Sequence, residues 1–485
     1  MKIWTAFLTL PWLAYAAPMS DSGSLSSTDA SYDGSSLNLT GHVVLDHGLG
    51  KMTAEEASLQ RQEVGKEFPF SFIQLRKDVV LALKNSAQIT CGSAELDFNA
   101  LKGTLLPEEK SRVVYTDQIK KKKGGDLTPL SLSGLLVELH FAKQIIDEKK
   151  TDYEIDNILA KEEVLILYDG QFELSAHHAL YRKELSRDNK SSKREFQGVL
   201  TAYPKDELSQ CVLRRDTDEI FADMVDIDMI NAKLSLLHPK GTLYEKTHFQ
   251  SDYLYWDQGK NFLTLKGNVS VDDPTFGTLQ AQDELQLAQV VVKGKPQLKA
   301  FHSQGTTSLL YKDASQAVHK LISHGTIHFD KDKLHANLDS PEVDGSTPRD
   351  KQLYYQEEEI AIYADSAALE YSLSGDTLEP TLLTLKGNIR LFSHDSQKPP
   401  RCGCADRLTY SLTTRTLILS ANAGKKVLFW DETQGMHLSA PEVHITRDQE
   451  TKLQHIKGVG AVQFSFTPEE QSKFQQLFPQ LKKQP

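Results

Sequence analysis

Cysteine is scarce in this chain: Cys91, Cys211, Cys402 and Cys404 are the only four in 485 residues. So few exclude a disulfide scaffold. Cys402-Gly403-Cys404 also lacks the two-residue spacer of a zinc knuckle or a thioredoxin-type motif. A structural pair of thiols or an incidental disulfide is expected there, and on a strand both side chains share one face. Long apolar runs are missing too. After Leu13 no segment reaches 18 apolar residues, which excludes a membrane-spanning helix there. Positive charge is in deficit, with 55 Lys and Arg against 66 Asp and Glu and a net charge of −11. Nucleic acid is therefore not an expected partner, because phosphate neutralisation needs clustered cations. The one basic run, Lys120 to Lys123, leads into Gly124-Gly125 and reads as a solvated loop.

Catalytic signatures are also lacking. There is no G-x-S-x-G and no H-E-x-x-H. "HGLGKMT" at 47–53 lacks the first glycine of a phosphate loop and has Met52 where Ser or Thr belongs; it reads as a turn between strands. His177-His178 are adjacent, so a strand points them to opposite faces, away from a shared metal. The carboxylates of Asp223–Asp228 do not follow an EF-hand pattern. No catalysis, metal or cofactor is expected. Carboxylate pairs for glycosidic cleavage are set by the fold rather than by spacing. A carbohydrate-active β-solenoid therefore stays open as an alternative, beside an exported structural or adhesive β array.

What is present begins at the N-terminus. Met1-Lys2, an apolar stretch from Ile3 to Leu13 and Ala14-Tyr15-Ala16 have the layout of a secretory signal peptide. Cleavage is expected after Ala16, which makes residues 1–16 a signal peptide and the mature chain an exported protein. Residues 17–36, rich in Ser, Asp and Gly, are expected as a disordered leader.

Beyond the leader the chain becomes rhythmic. "LTLKGNVSVDD" starts at Leu263, and "LTLKGNIRLFS" repeats it at Leu383. In the first, Leu263, Leu265, Val269 and Val271 alternate with polar residues, which is strand periodicity. Gly267 sits in the middle, where a bend is natural. A turn and a second strand with Leu279, Ala281, Leu285 and Leu287 follow. The second copy reads the same way through Leu383, Leu385, Ile389 and Leu391, then Leu408, Tyr410 and Leu412, then Val427 and Phe429. Val462, Phe464 and Phe466 are expected to close the series as a last strand. "LNLTGHVVLD" from Leu37 places Gly41 where Gly267 and Gly387 stand, and residues 135–146 fit a helix or a pair of strands. "TPEEQSKFQQLFPQL" is the best helix, with Thr467 as cap, Pro468 and two glutamates in the first turn, and an apolar face of Phe474, Leu477 and Phe478. Many short strands with turn signals between them, and an internal repeat, indicate an all-β array.

These phrases, with "LQAQDELQL" and "CADRLTYSL" as their second strands, resemble the OstA-like repeat. It is found in periplasmic lipopolysaccharide-transport proteins of the LptA type and in the N-terminal domain of LptD. The matching positions are Gly267-Asn268 with Ala281, Asp283 and Leu285, and Gly387-Asn388 with Ala405, Asp406 and Leu408. Residues 260–290, 360–466 and 37–60 carry the likeness. It implies an elongated, open β-jellyroll of tandem repeats with a short C-terminal helix. A first, divergent region would span 37–250, a second 251–466 and a helical tail 467–485. Only 19 residues follow Phe466, so the barrel of LptD is not expected. The resemblance further implies a periplasmic bridge, possible association with the outer membrane, and acyl chains of lipopolysaccharide (lipid A) held in an apolar groove. Partners would be LptC-like and LptD-like proteins or further copies of the chain, joined by edge-strand pairing. Candidate groove residues are Leu263, Leu265, Val269, Val271, Leu285, Leu287, Leu383, Leu385, Ile389, Leu391, Leu408, Leu412, Val427 and Phe429.

Overall fold

The structure, a computed structural model, describes residues 24–61, 70–84, 86–120, 127–145, 151–186, 195–243, 245–274, 277–292, 295–312, 316–357, 360–374, 377–393, 400–432, 435–447 and 454–478. The expected signal peptide lies outside them. Among the described residues antiparallel strands dominate, as the period-two patterning requires, and one α-helix, Pro468–Leu477, follows them. The described residues among 1–118 and 131–162 form one compact unit, and those among 119–130 and 163–485 form the other.

In the second unit the strands fall into two ladders. The first ladder begins with the C-terminal part of Phe172–Ser186, paired with Glu195–Tyr203, and ends at Gln454–Val459. The second begins with the N-terminal part of the same strand, paired with Cys211–Arg215, and ends at Met436–Ala440. The chain alternates strictly between them. It makes a hairpin in one ladder, turns a corner and makes a hairpin in the other. Thus Tyr253–Asp257 and Phe262–Lys266 pair in the first ladder, and Val269–Asp273 and Gly277–Ala281 pair in the second. Glu284–Val292 then returns to the first and pairs with Phe262–Lys266. The expected second strand around Ala281 is therefore two strands, broken at Gln282-Asp283. Roughly fifteen strand spacings of ~4.8 Å make the first ladder on the order of 70 Å long.

The repeated Lys-Gly-Asn phrase is the corner. Gly267 and Asn268 have φ of 68° and 47°, and Gly387 and Asn388 have φ of 79° and 44°. Two successive left-handed residues turn the chain out of one ladder and into the other, and both flanking strands keep their apolar faces inward. An aspartate from the previous corner closes each turn. Asn268 Nδ2 donates to Asp252 Oδ2 at 2.9 Å, and Asn388 Nδ2 donates to Asp365 Oδ2 at 2.7 Å. A Cβ on Gly267 or Gly387 would lie 2.3 Å or 2.4 Å from that carboxylate. Glycine is required for the close approach as well as for its dihedral freedom.

The first unit uses the same device. Gly41 and His42 (φ 74° and 47°) divide the long strand Ser36–His47, and Lys77 and Asp78 (φ 62° and 51°) divide Phe70–Leu83. Leu45, Leu59, Ile73, Ile89, Leu96 and Leu105 are completely buried between the strands.

Three sequence expectations change. The leader is not wholly disordered: among its described residues Leu25–Ser26 and Asp29–Tyr32 pair with Ser36–His47. Ladder hydrogen bonds to an already formed strand override its polar composition. Leu136–Ile145 is a strand between residues 102–105 and 151–161, not a helix. Residues 462–466 are not a strand. Gln463 alone makes a bridge, to Ser439, and Phe464 is 73% exposed. The chain there turns towards the helix, which covers that side.

The helix has the expected cap: Thr467 Oγ1 accepts from the Glu470 N–H, and Glu470 Oε2 accepts from the Thr467 N–H. Its Phe474 and Phe478 pack on Cys402, Cys404 and Leu428. Gly403 and Phe429 point the other way: a Cβ on Gly403 would meet Phe429 and, from the facing ladder, Leu419. Cys402 and Cys404 thus share one face, as the sequence indicates, and both are free thiols under the helix.

Candidate functional site

The two ladders of the second unit face each other, and their interior changes character with distance from the corners. Beside the corners it is aliphatic and filled. Leu263, Leu265, Val269, Val271, Leu285, Leu287, Leu383, Leu385, Ile389, Leu391, Leu408, Val427 and Phe429 are all buried there. Leu412 differs. It lies one residue past the strand Arg401–Ser411, is half-buried, and donates its N–H to Thr381 O at 3.0 Å.

Towards the hairpin ends the interior opens. A cavity of about 750 Å³, counting space continuous with solvent, lies between the ladders. Phe301, Phe329, Leu369, Tyr371, Leu378, Pro380 and Leu383 line it from the first ladder, with Leu412 just beyond that ladder's strand ending at Ser411. Leu309, Tyr311, His319, Leu321 and Tyr355 line it from the second. Leu309, Tyr311, Leu369, Tyr371 and Pro380 remain partly exposed although they face this interior. Of the candidate groove residues, Leu383 and Leu412 line this cavity and Leu263 lines a smaller one; the other eleven line neither.

Its lining is chemically quiet. Phe301 stacks on Phe329 (centroids 5.2 Å apart), and Tyr371 meets Phe329 edge-on at 5.6 Å. Burial, with Tyr311 nearby, pushes the Tyr371 phenol well above its ordinary range, so it stays neutral. Three polar side chains of the wall and the layer behind it, His319, Tyr355 and Glu357, are tied to one another. His319 Nδ1 is 2.9 Å from Tyr355 Oη, and the Tyr355 and Tyr410 hydroxyls donate to the two oxygens of Glu357 at 3.1 Å each. A tied-down polar layer behind an aromatic surface suits an apolar guest.

The aromatic lining residues escaped the sequence reading, which followed the Lys-Gly-Asn phrase and so found the corners. A second period was there to find. Strands leaving a corner carry an aliphatic residue and then, two positions on, an aromatic one: Leu254 and Trp256, Leu309 and Tyr311, Ile327 and Phe329, Leu353 and Tyr355, Leu369 and Tyr371, Leu408 and Tyr410. In each pair the aromatic sits nearer the hairpin end, where the interior opens.

A smaller cavity of about 460 Å³, again counting space continuous with solvent, lies earlier in the same unit. Phe172, Leu213, Ile220, Leu234, Leu243, Leu254 and Leu263 line it together with Arg215, Asp218 and Trp256. The Arg215 guanidinium carbon is 5.1 Å from the ring centre of Phe172 and 5.3 Å from that of Trp256.

No protein-family model matches the chain, and no curated protein matches it.

Proposed function

We propose that this chain is a lipid carrier of the LptA/OstA type, a periplasmic bridge that holds acyl chains of lipopolysaccharide between its two ladders. The observation that carries the reading is the aromatic and aliphatic cavity between Phe301, Tyr311 and Tyr371, which is half-open although its lining is apolar. Its lining is largely apolar with a few polar groups, as in small-molecule sites. Each methylene buried there would be worth about 0.8 kcal/mol of gross burial. That gain is offset by its removal from a membrane, so binding can be reversible, as a carrier requires. The filled aliphatic layer beside the corners supplies the rigid wall, and the aromatic layer supplies the contact surface.

A photocrosslinking amino acid at Tyr371, and separately at the exposed Glu370, tests this in cells that make lipopolysaccharide. The expected result is a lipid adduct at 371 and none at 370, with Leu412 behaving like Tyr371. No lipid adduct at either 371 or 412 would sink the carrier reading and leave the structural or adhesive one.

A further inference from the structure

The smaller cavity contains three polar side chains that an acyl chain alone does not explain. Arg215 ends the strand Cys211–Arg215, and Asp218 opens its hairpin partner, Asp218–Ala222. Trp256 comes from the opposite ladder, on Tyr253–Asp257. The Arg215 guanidinium lies against the pair formed by the Phe172 and Trp256 rings, whose centres are 6.0 Å apart, within cation–π distance of both. Arg215 Nε and Trp256 Nε1 are both buried, and neither has a hydrogen-bond partner. Buried N–H groups left this way cost free energy unless something accepts from them. Two such donors, one of them on a cation, line a single cavity whose remaining walls are Leu, Ile and Phe apart from Asp218.

We infer that this cavity binds the oxyanion head, carboxylate or phosphate, of an acyl amphiphile, with Arg215 and Trp256 as its donors. The inference rests on the carrier reading above and adds a second station with its own selectivity. The apolar walls take the first part of the tail. A guanidinium already held against two rings loses less freedom on binding, so its charge-assisted hydrogen bond retains more of its strength. Asp218 opposes an anion from the same cavity. Its charge sets how tightly the head is held, and removing that charge strengthens the site.

The test uses the purified full chain and three ten-carbon ligands below their micelle concentrations: decanoate, decyl phosphate and decanol. Binding is followed calorimetrically. The Trp256 indole N–H resonance, assigned by its loss in Trp256→Phe, is followed by NMR. Both anions should move the indole resonance, and decanol should not. Arg215→Gln should weaken both anions about tenfold or more and leave decanol unchanged. Asp218→Asn should tighten both anions. Whichever anion binds more tightly identifies the head group as carboxylate or phosphate. Arg215→Lys, which keeps the charge and loses Nε and the planar guanidinium, should lie between the wild type and Arg215→Gln. Circular dichroism confirms that each variant folds. Anion binding that neither shifts the Trp256 resonance nor depends on Arg215 would overturn this site and leave the larger cavity untouched. Failure of all three ligands to bind would overturn the carrier reading as well.

Discussion

At the scale of single residues, the fold depends on its corners. At the Lys-Gly-Asn corners two consecutive residues take left-handed backbone, and at Gly387 the Asp365 carboxylate occupies the space of a Cβ. That carboxylate accepts from Asn388 Nδ2 and, through its other oxygen, from Gln352 Nε2 at 2.8 Å. Gly387→Ala therefore imposes the left-handed penalty and dislodges a hydrogen-bonded aspartate. The expected cost is about 2–4 kcal/mol in urea unfolding at neutral pH. Gly424→Ala is the control: φ is 80°, but nothing lies within 4 Å of its would-be Cβ, so only about 1 kcal/mol should be lost. Equal costs at the two sites would show that the aspartate contact contributes nothing. The corner was legible in the sequence because glycine and asparagine there are required by geometry. Its partner was not, because Asp365 lies 23 residues from Asn388 and no local pattern joins them.

At the scale of elements, the helix Pro468–Leu477 was readable end to end, since its cap, its first-turn proline and its apolar face are all local features. What it covers was not readable. It lies on the outer face of the second ladder, over Cys402 and Cys404, whose thiols burial pushes up to about 12 and about 11. Both are thus protonated and shielded at neutral pH and should react slowly with a disulfide reagent. Phe474→Ala removes the buried ring between Trp430, Phe466 and Phe478. It should loosen the helix and expose these two thiols first, before Cys91 and Cys211, which are buried in strands elsewhere. Thr467→Ala removes only the cap, worth about 1 kcal/mol, and should speed labelling by up to about fivefold, given that 1.4 kcal/mol is a factor of ten. Mass spectrometry of labelled peptides reads both. If Cys91 or Cys211 reacted first in Phe474→Ala, the helix would not be their cover.

At the scale of the whole molecule, alternation gave the all-β class but not the splay. A filled sandwich and an open trough both need one apolar face per strand, so Leu265 reads identically in either. The distinction lies in where aromatic residues fall along each strand, and that depends on which end is the corner. The two compact units also differ chemically. In the first, His47 packs against Phe98 and Tyr153, with ring centres 4.1 Å and 5.3 Å away, and near the Lys84–Asp152 ion pair. Burial chiefly, with Lys84 adding to it and Asp152 opposing, holds the imidazole down to about 4. An unfolded histidine titrates near 6.5. Between those values the unfolded chain binds the extra proton, so stability falls as pH falls. The first unit should keep its full stability above about pH 7 and lose up to about 3 kcal/mol by pH 4 from this group alone. Amide exchange at residues 43–47 and 89–96, compared with amides of the second unit, should show protection falling faster in the first unit below pH 6.5. His47→Phe should remove that excess while leaving the second unit's pH profile as it was. If the variant kept the same slope between pH 4.5 and 6.5, another group would carry the acid sensitivity.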